Sequence, residues 1–134
     1  MAEWNAIYEG IRAAFAADAG IVSRAGSRWY SDQLPDRREL PAIRWALITN
    51  LPHQTLSSGE NITADVQIDV YADRDQAAAC SAIGADVVRL LDRKSITASG
   101  FASMRVMCTS RPTPFKEEPY FRLRSVFRFV GVAA

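Results

Sequence analysis

Between Ile62 and Leu91 the hydrophobic pattern of the chain changes period, and few folds can hold such a junction. Ile62, Ala64, Val66, Ile68 and Val70 alternate with Thr63, Asp65, Gln67, Asp69 and Tyr71, the pattern of a strand with one face buried. From Asp73 onward the apolar residues recur at helical steps, through Cys80, Ile83, Val87, Leu90 and Leu91. Asp73 is placed to cap that helix, Gln76 to close a capping box, and Asp75 to sit favourably in the first turn of the dipole. A strand that runs directly into a helix must fold the helix back over the strand's apolar face. The core is therefore expected at this junction.

The flanking segments supply matching layers. Trp4, Ile7, Tyr8, Ile11 and Phe15 lie on one side of a helix from Ala2 to about Ala17, with Gly20 as its stop. Arg28-Trp29-Tyr30 suits a short edge strand, and the polar stretch Ser31–Leu40, with Pro35, a loop. Pro41 opens a strand from Ala42 to Thr49, in which Ile43, Trp45 and Leu47 face one way. Asn50–Asn61 reads as a long hairpin connection that turns at Ser58-Gly59-Glu60-Asn61. Asp92–Gly100 forms the exit from the second helix. Two further strands follow, Phe101–Thr109 and Tyr120–Val130, and in the second Phe121, Leu123, Phe127 and Phe129 oppose Arg122, Arg124 and Arg128. The residues between them, Ser110–Pro119, carry three prolines and read as a second protruding loop. The fold expected is α+β: a single two-layer domain over residues 1–134, a mainly antiparallel sheet of about four main strands with two helices packed on one face.

Composition excludes several functions. No apolar run approaches the ~20 residues of a membrane span, and the N-terminus lacks the pattern of a signal peptide, so synthesis in the cytoplasm is expected. Cys80 and Cys108 sit among apolar neighbours and read as reduced core residues. The formal charge is only +1, too small for a nucleic-acid footprint. It is unevenly spread: residues 1–100 hold ten Lys/Arg against thirteen Asp/Glu, whereas residues 101–134 hold six against two. Such asymmetry fits self-association, in which unlike edges of two copies meet.

Chemistry is hard to find. His53 is the only histidine, and Ser57 and Ser58 near it carry no nucleophile-elbow pattern. One His and two separated Cys cannot assemble a usual zinc site. There is no phosphate-binding glycine loop or dinucleotide fingerprint. Asp73 and Asp75 are explained as helix caps. The row Arg122, Arg124, Arg128 has a natural counterpart in Asp65, Gln67 and Asp69, either within the sheet or across an interface. The expectation is a protein without catalytic residues, cofactor or metal, and without sequence-specific nucleic-acid binding.

In that order the elements resemble the tail-completion or tail-terminator proteins of long-tailed bacteriophages. The resemblance rests on Arg28-Trp29-Tyr30, Leu34-Pro35, Leu40-Pro41-Ala42-Ile43-Arg44-Trp45, Val66-Gln67-Ile68-Asp69-Val70-Tyr71-Ala72 with Ala77–Ala79 after it, and the closing run from Tyr120 to Phe129. It covers nearly the whole chain. Trp29 and the long Asn50–Asn61 connection depart from the family pattern. The resemblance implies a structural virion protein, assembled in the host cytoplasm into a ring of six at the head-proximal end of the tail. Such a ring stops tube polymerisation and docks the neck or head, so its partners are other copies, the tail-tube protein and a head-completion protein. On this reading Asp65, Gln67, Asp69, Arg122, Arg124 and Arg128 are candidates for the subunit interface. His53, Gln54, Ser58 and Glu60 in one loop, and Arg111, Lys116, Glu117 and Glu118 in the other, are candidates for contacts with tube and neck. A head-completion or neck protein is the nearest rival, and a small intracellular α+β binding or enzymatic domain a more distant one.

Overall fold

The computed structural model describes residues 2–34, 39–48, 62–117 and 120–133. Its elements are α1 (Ala2–Ala16), α2 (Ala19–Ala25), β1 (Trp29–Ser31), β2 (Ala42–Leu47), β3 (Ile62–Ala72), a single 3-10 turn (Arg74–Gln76), α3 (Ala77–Leu91), β4 (Lys94–Ile96), β5 (Phe101–Glu117) and β6 (Tyr120–Ala133). The strands form one sheet in the order β1-β2-β3-β6-β5-β4. Every pairing is antiparallel except β1 with β2. The architecture is thus α+β as expected, but with six strands and three α-helices in place of four and two.

The strand–helix junction organises the packing. β3 pairs over its full length with β6, from Ile62↔Gly131 to Ala72↔Phe121, and with β2 on its other edge. One face of this sheet presents Ile43, Trp45, Ile62, Ala64, Val66, Ile68, Val70, Met104, Val106, Phe127 and Phe129, all buried. Those residues form one cluster with Ile7, Ile11 and Phe15 of α1, Ile21 of α2, and Cys80, Ile83, Val87 and Leu91 of α3. Trp45 lies at its centre, edge-on to Phe15 at 5.6 Å and to Tyr8 at 6.3 Å between ring centroids. The Tyr8 hydroxyl accepts the Leu47 N–H at 2.9 Å and donates to Asp32 at 3.0 Å, which ties α1 to the edge of the sheet. At the start of α3, Asp73 and Gln76 make the reciprocal capping box, with the Asp73 N–H donating to Gln76 Oε1 at 3.0 Å.

Several boundaries differ from the sequence reading. The first helix ends at Ala16, close to the expected Ala17, but Gly20 is not its stop: a second helix begins at Ala19 and contains it. Asp18 is extended and its carboxylate accepts the Ile21 N–H at 3.0 Å, so a cap restarts the helix before the glycine is reached. The exit after α3 contains β4, whose three residues are too few to show alternation. Arg93, at φ 59, turns the chain back so that β4 can pair with Met104–Val106.

The largest correction concerns Ser110–Pro119, read as a loop. β5 continues through it to Glu117 and stays paired with β6, with register shifts between Cys108 and Ser110 and between Ser110 and Thr113. Arg111 and Pro112 fall inside the second shift, where the ladder asks nothing of proline's missing N–H. β4 ends its pairing at Val106, so beyond that point β5 is an edge strand, and an edge tolerates Pro114 as well. The Asn50–Asn61 connection lies outside the described residues.

Gly10 is required by a close approach. A Cβ there would stand 2.9 Å from the Thr97 carbonyl oxygen and 2.8 Å from Ile96 Cδ1. Gly10→Ala ought to raise the intrinsic helix propensity of α1 by about 1 kcal/mol. We expect it instead to lower stability, because the backbone carbonyl cannot move aside. Urea unfolding of the two proteins checks the sign.

Candidate functional site

Among the described residues the opposite face of the sheet carries no helix, and both charged rows lie on it. The antiparallel register of β3 and β6 fixes their pairing: Asp65 opposes Arg128, Asp69 opposes Arg124, and Tyr71 opposes Arg122. β2 adds Arg44, directly opposite Asp69 on the other side. An antiparallel sheet places such opposed side chains within contact distance, so complementary rows close on each other.

Asp69 is the centre of the face. Its side chain is fully buried. Arg44 and Arg122 each donate to Oδ2 at 2.8 Å, Gln67 Nε2 donates to the same oxygen at 2.9 Å, and Arg124 Nε reaches Oδ1 at 3.3 Å. The Arg122 guanidinium also stacks over the Tyr71 ring at 4.9 Å. Burial pushes the Asp69 carboxyl upward, but hydrogen bonds from Arg122, Gln67 and Arg44 outweigh it and hold the carboxyl below its usual range. Asp65 makes a second, more open pair with Arg128 at 3.0 Å, which holds the Arg128 guanidinium above its ordinary value.

The sequence left open whether the two rows meet within the sheet or across an interface. Within one chain they meet each other. Arg44 completes the cluster, and the sequence analysis did not single it out. The signal was its outward place opposite Ile43 and Trp45, but its relevance depends on the β2–β3 register.

Further along the same face the character changes. Met107, Val130 and Val132 are exposed, and Met107 and Val130 line, with Arg93, Arg105, Val106 and Arg128, a shallow concavity of about 490 Å³. Sequence reading missed this patch, although Val130 and Val132 continue the outward alternation of the arginines. Arg111 sits at the bulge of β5 and lines a groove of about 500 Å³ with Ser81, Ala85 and Val88 of α3. Lys116 and Glu117 are the last residues of β5 rather than part of a loop. His53, Gln54, Ser58, Glu60 and Glu118 lie outside the described residues. Among the described residues no group of three or more His, Cys, Asp and Glu side chains could hold a metal ion, and no helix is long and apolar enough to cross a membrane. The Cys80 thiol is pushed up to about 11 by burial, which makes it a poor nucleophile.

Because the Asp69 pKa is lowered on folding, ionised Asp69 stabilises the chain above its unfolded value, and that contribution is lost as pH falls through the lowered folded value. Stability measured from pH 7 down to pH 2 is therefore expected to fall more gently in Asp69→Asn than in the wild type. Asp69→Ala, which leaves three clustered guanidinium groups without their shared carboxylate, should cost about 3–5 kcal/mol in urea unfolding. Asp65→Ala should cost clearly less.

Comparison with known proteins adds the following. A family model described as tail completion protein gp17 matches residues 9–130. A chain in the virion of a native gene transfer agent particle has the same fold, with 19% identity, a TM-score of 0.76 and 98% of each chain covered. A second solved chain, 9% identical, matches with a TM-score of 0.65 over 97% of this chain and 93% of its own. No curated protein matches the chain in sequence.

Proposed function

The chain belongs to the gp17 tail completion family, and from that premise we propose that it forms the ring that terminates a phage-type tail. Membership makes it a structural protein of the virion tail. Beyond membership, our reading is that residues 1–134 act as one domain in a ring, usually of six, at the head-proximal end of the tube. There it stops polymerisation of the tube protein and offers the surface on which the neck or head docks. The observation that carries this reading is the family match over residues 9–130.

The physical arrangement supports it. A closed ring needs a rigid subunit with two unlike surfaces that complement each other. The helix-free face is rigid, since Asp69 is tied to Arg44, Gln67, Arg122 and Arg124 across three strands and Asp65 to Arg128 across two. In our proposal these residues form the floor of the subunit contact. In the same proposal His53, Gln54, Ser58 and Glu60, together with Lys116, Glu117 and Glu118, make the contacts with tube and neck. Arg111, beside α3, contributes from the hairpin's base.

Deleting the gene from its parent particle distinguishes the roles by electron microscopy. We expect overlong tubes, because nothing stops their growth. Tails of normal length that lack heads would instead mark a neck protein and overturn the terminator assignment.

A further inference from the structure

On the helix-free face, beyond the paired charges, Met107, Val130 and Val132 are exposed by 60%, 42% and 44%. The register makes them one patch: Met107 opposes Arg128, Arg105 opposes Val130, and Ser103 opposes Val132. Single exposed apolar residues are ordinary, but a contiguous group on a flat sheet face is characteristic of a contact surface. Arg93 and Arg105 at its rim are exposed and have no ion-pair partner among the described residues. The patch is therefore an apolar centre with a cationic border.

A carboxylate surface would complement it, and the chain carries one at its other end. Asp73 and Asp75, exposed on either side of Arg74 just before α3, likewise have no ion-pair partner among the described residues, and Ala78, three residues on from Asp75, is exposed too. Ala72 pairs with Phe121 whereas the apolar patch surrounds Val130, so the two surfaces lie about 30 Å apart along β6. Packing the patch on itself in a two-fold dimer would bring the rims of Arg93 and Arg105 together, which like charge opposes. Packing it on the acidic end of another copy joins unlike charges. We propose that this patch seats the Asp73–Asp75 end of a neighbouring copy of the chain in a head-to-tail contact. Such a contact is heterologous, the kind that closes into a ring. It rests on the ring reading above and gives that ring a named seam.

Sedimentation of the purified full chain over a concentration series tests it. The wild type is expected to assemble, and Val130→Asp and Arg105→Glu each to weaken assembly about tenfold or more while the thermal melt stays unchanged. Asp75→Arg should weaken it likewise, and Arg105→Glu combined with Asp75→Arg in one chain should recover most of the loss. Val22→Asp, at another exposed apolar position, on α2, should change nothing. A wild type that stays monomeric at every concentration overturns the ring and this seam together. A wild type that assembles while Val130→Asp and Arg105→Glu assemble equally well overturns the seam alone. Failure of the combined variant to recover overturns the pairing with Asp75.

Discussion

β3 has to satisfy two different environments at once, and the rest of the molecule is arranged around that requirement. It lies between β2 and β6, so both of its edges are hydrogen-bonded. One face, from Ile62 to Val70, is buried under three helices. On the other face, which carries no helix among the described residues, Asp69 is fully buried. Burying a carboxylate without compensation would cost several kcal/mol. Arg44, Gln67, Arg122 and Arg124 supply that compensation from β2, β3 and β6, so the cluster holds only while those strands keep their register. A slip of one residue would turn Asp69 into the apolar layer. The polar face thus specifies the pairing that the apolar face stabilises.

This division of labour suits a protein of assembly. A sheet face held by charge-assisted hydrogen bonds is flat and stiff, with little conformational entropy left to lose when another surface meets it. The helices take no part in that face, because their apolar stripes are used up on the other side. What remains for partners is a platform whose centre is neutralised within the subunit and whose far end is apolar with a cationic rim. In the proposed ring, recognition there rests on shape and charge.

The long β5–β6 hairpin shows how local signals can mislead. Pro112 and Pro114 were strong reasons to expect a loop, since proline breaks a ladder it must donate to. The expectation fails because β5 is an edge strand past Val106 and carries a bulge at Arg111–Pro112, the two settings where proline is harmless. Neither setting is visible along the chain. Strand order decides both. The break at Asp18 is the converse case: its capping chemistry was present in the sequence, but the glycine two residues later was the louder signal. β1 was legible as a short edge strand, but β4 escaped notice because three residues have no period; only its neighbour defines it.

Alternation and helical spacing alone determined β3, the start of α3, the buried side of α1, the outward arginines of β6 and the α+β class. Each of these follows from which residues avoid water, a property of the chain taken a few residues at a time. The family could be recognised from the same stretches. Tertiary structure alone decided that the acidic and basic rows pair within one subunit, that Arg44 joins them, and that Met107 meets Val130 and Val132 on one face. Those facts depend on register and strand order, which bring together residues tens of positions apart, and no local pattern encodes which partner a strand will find.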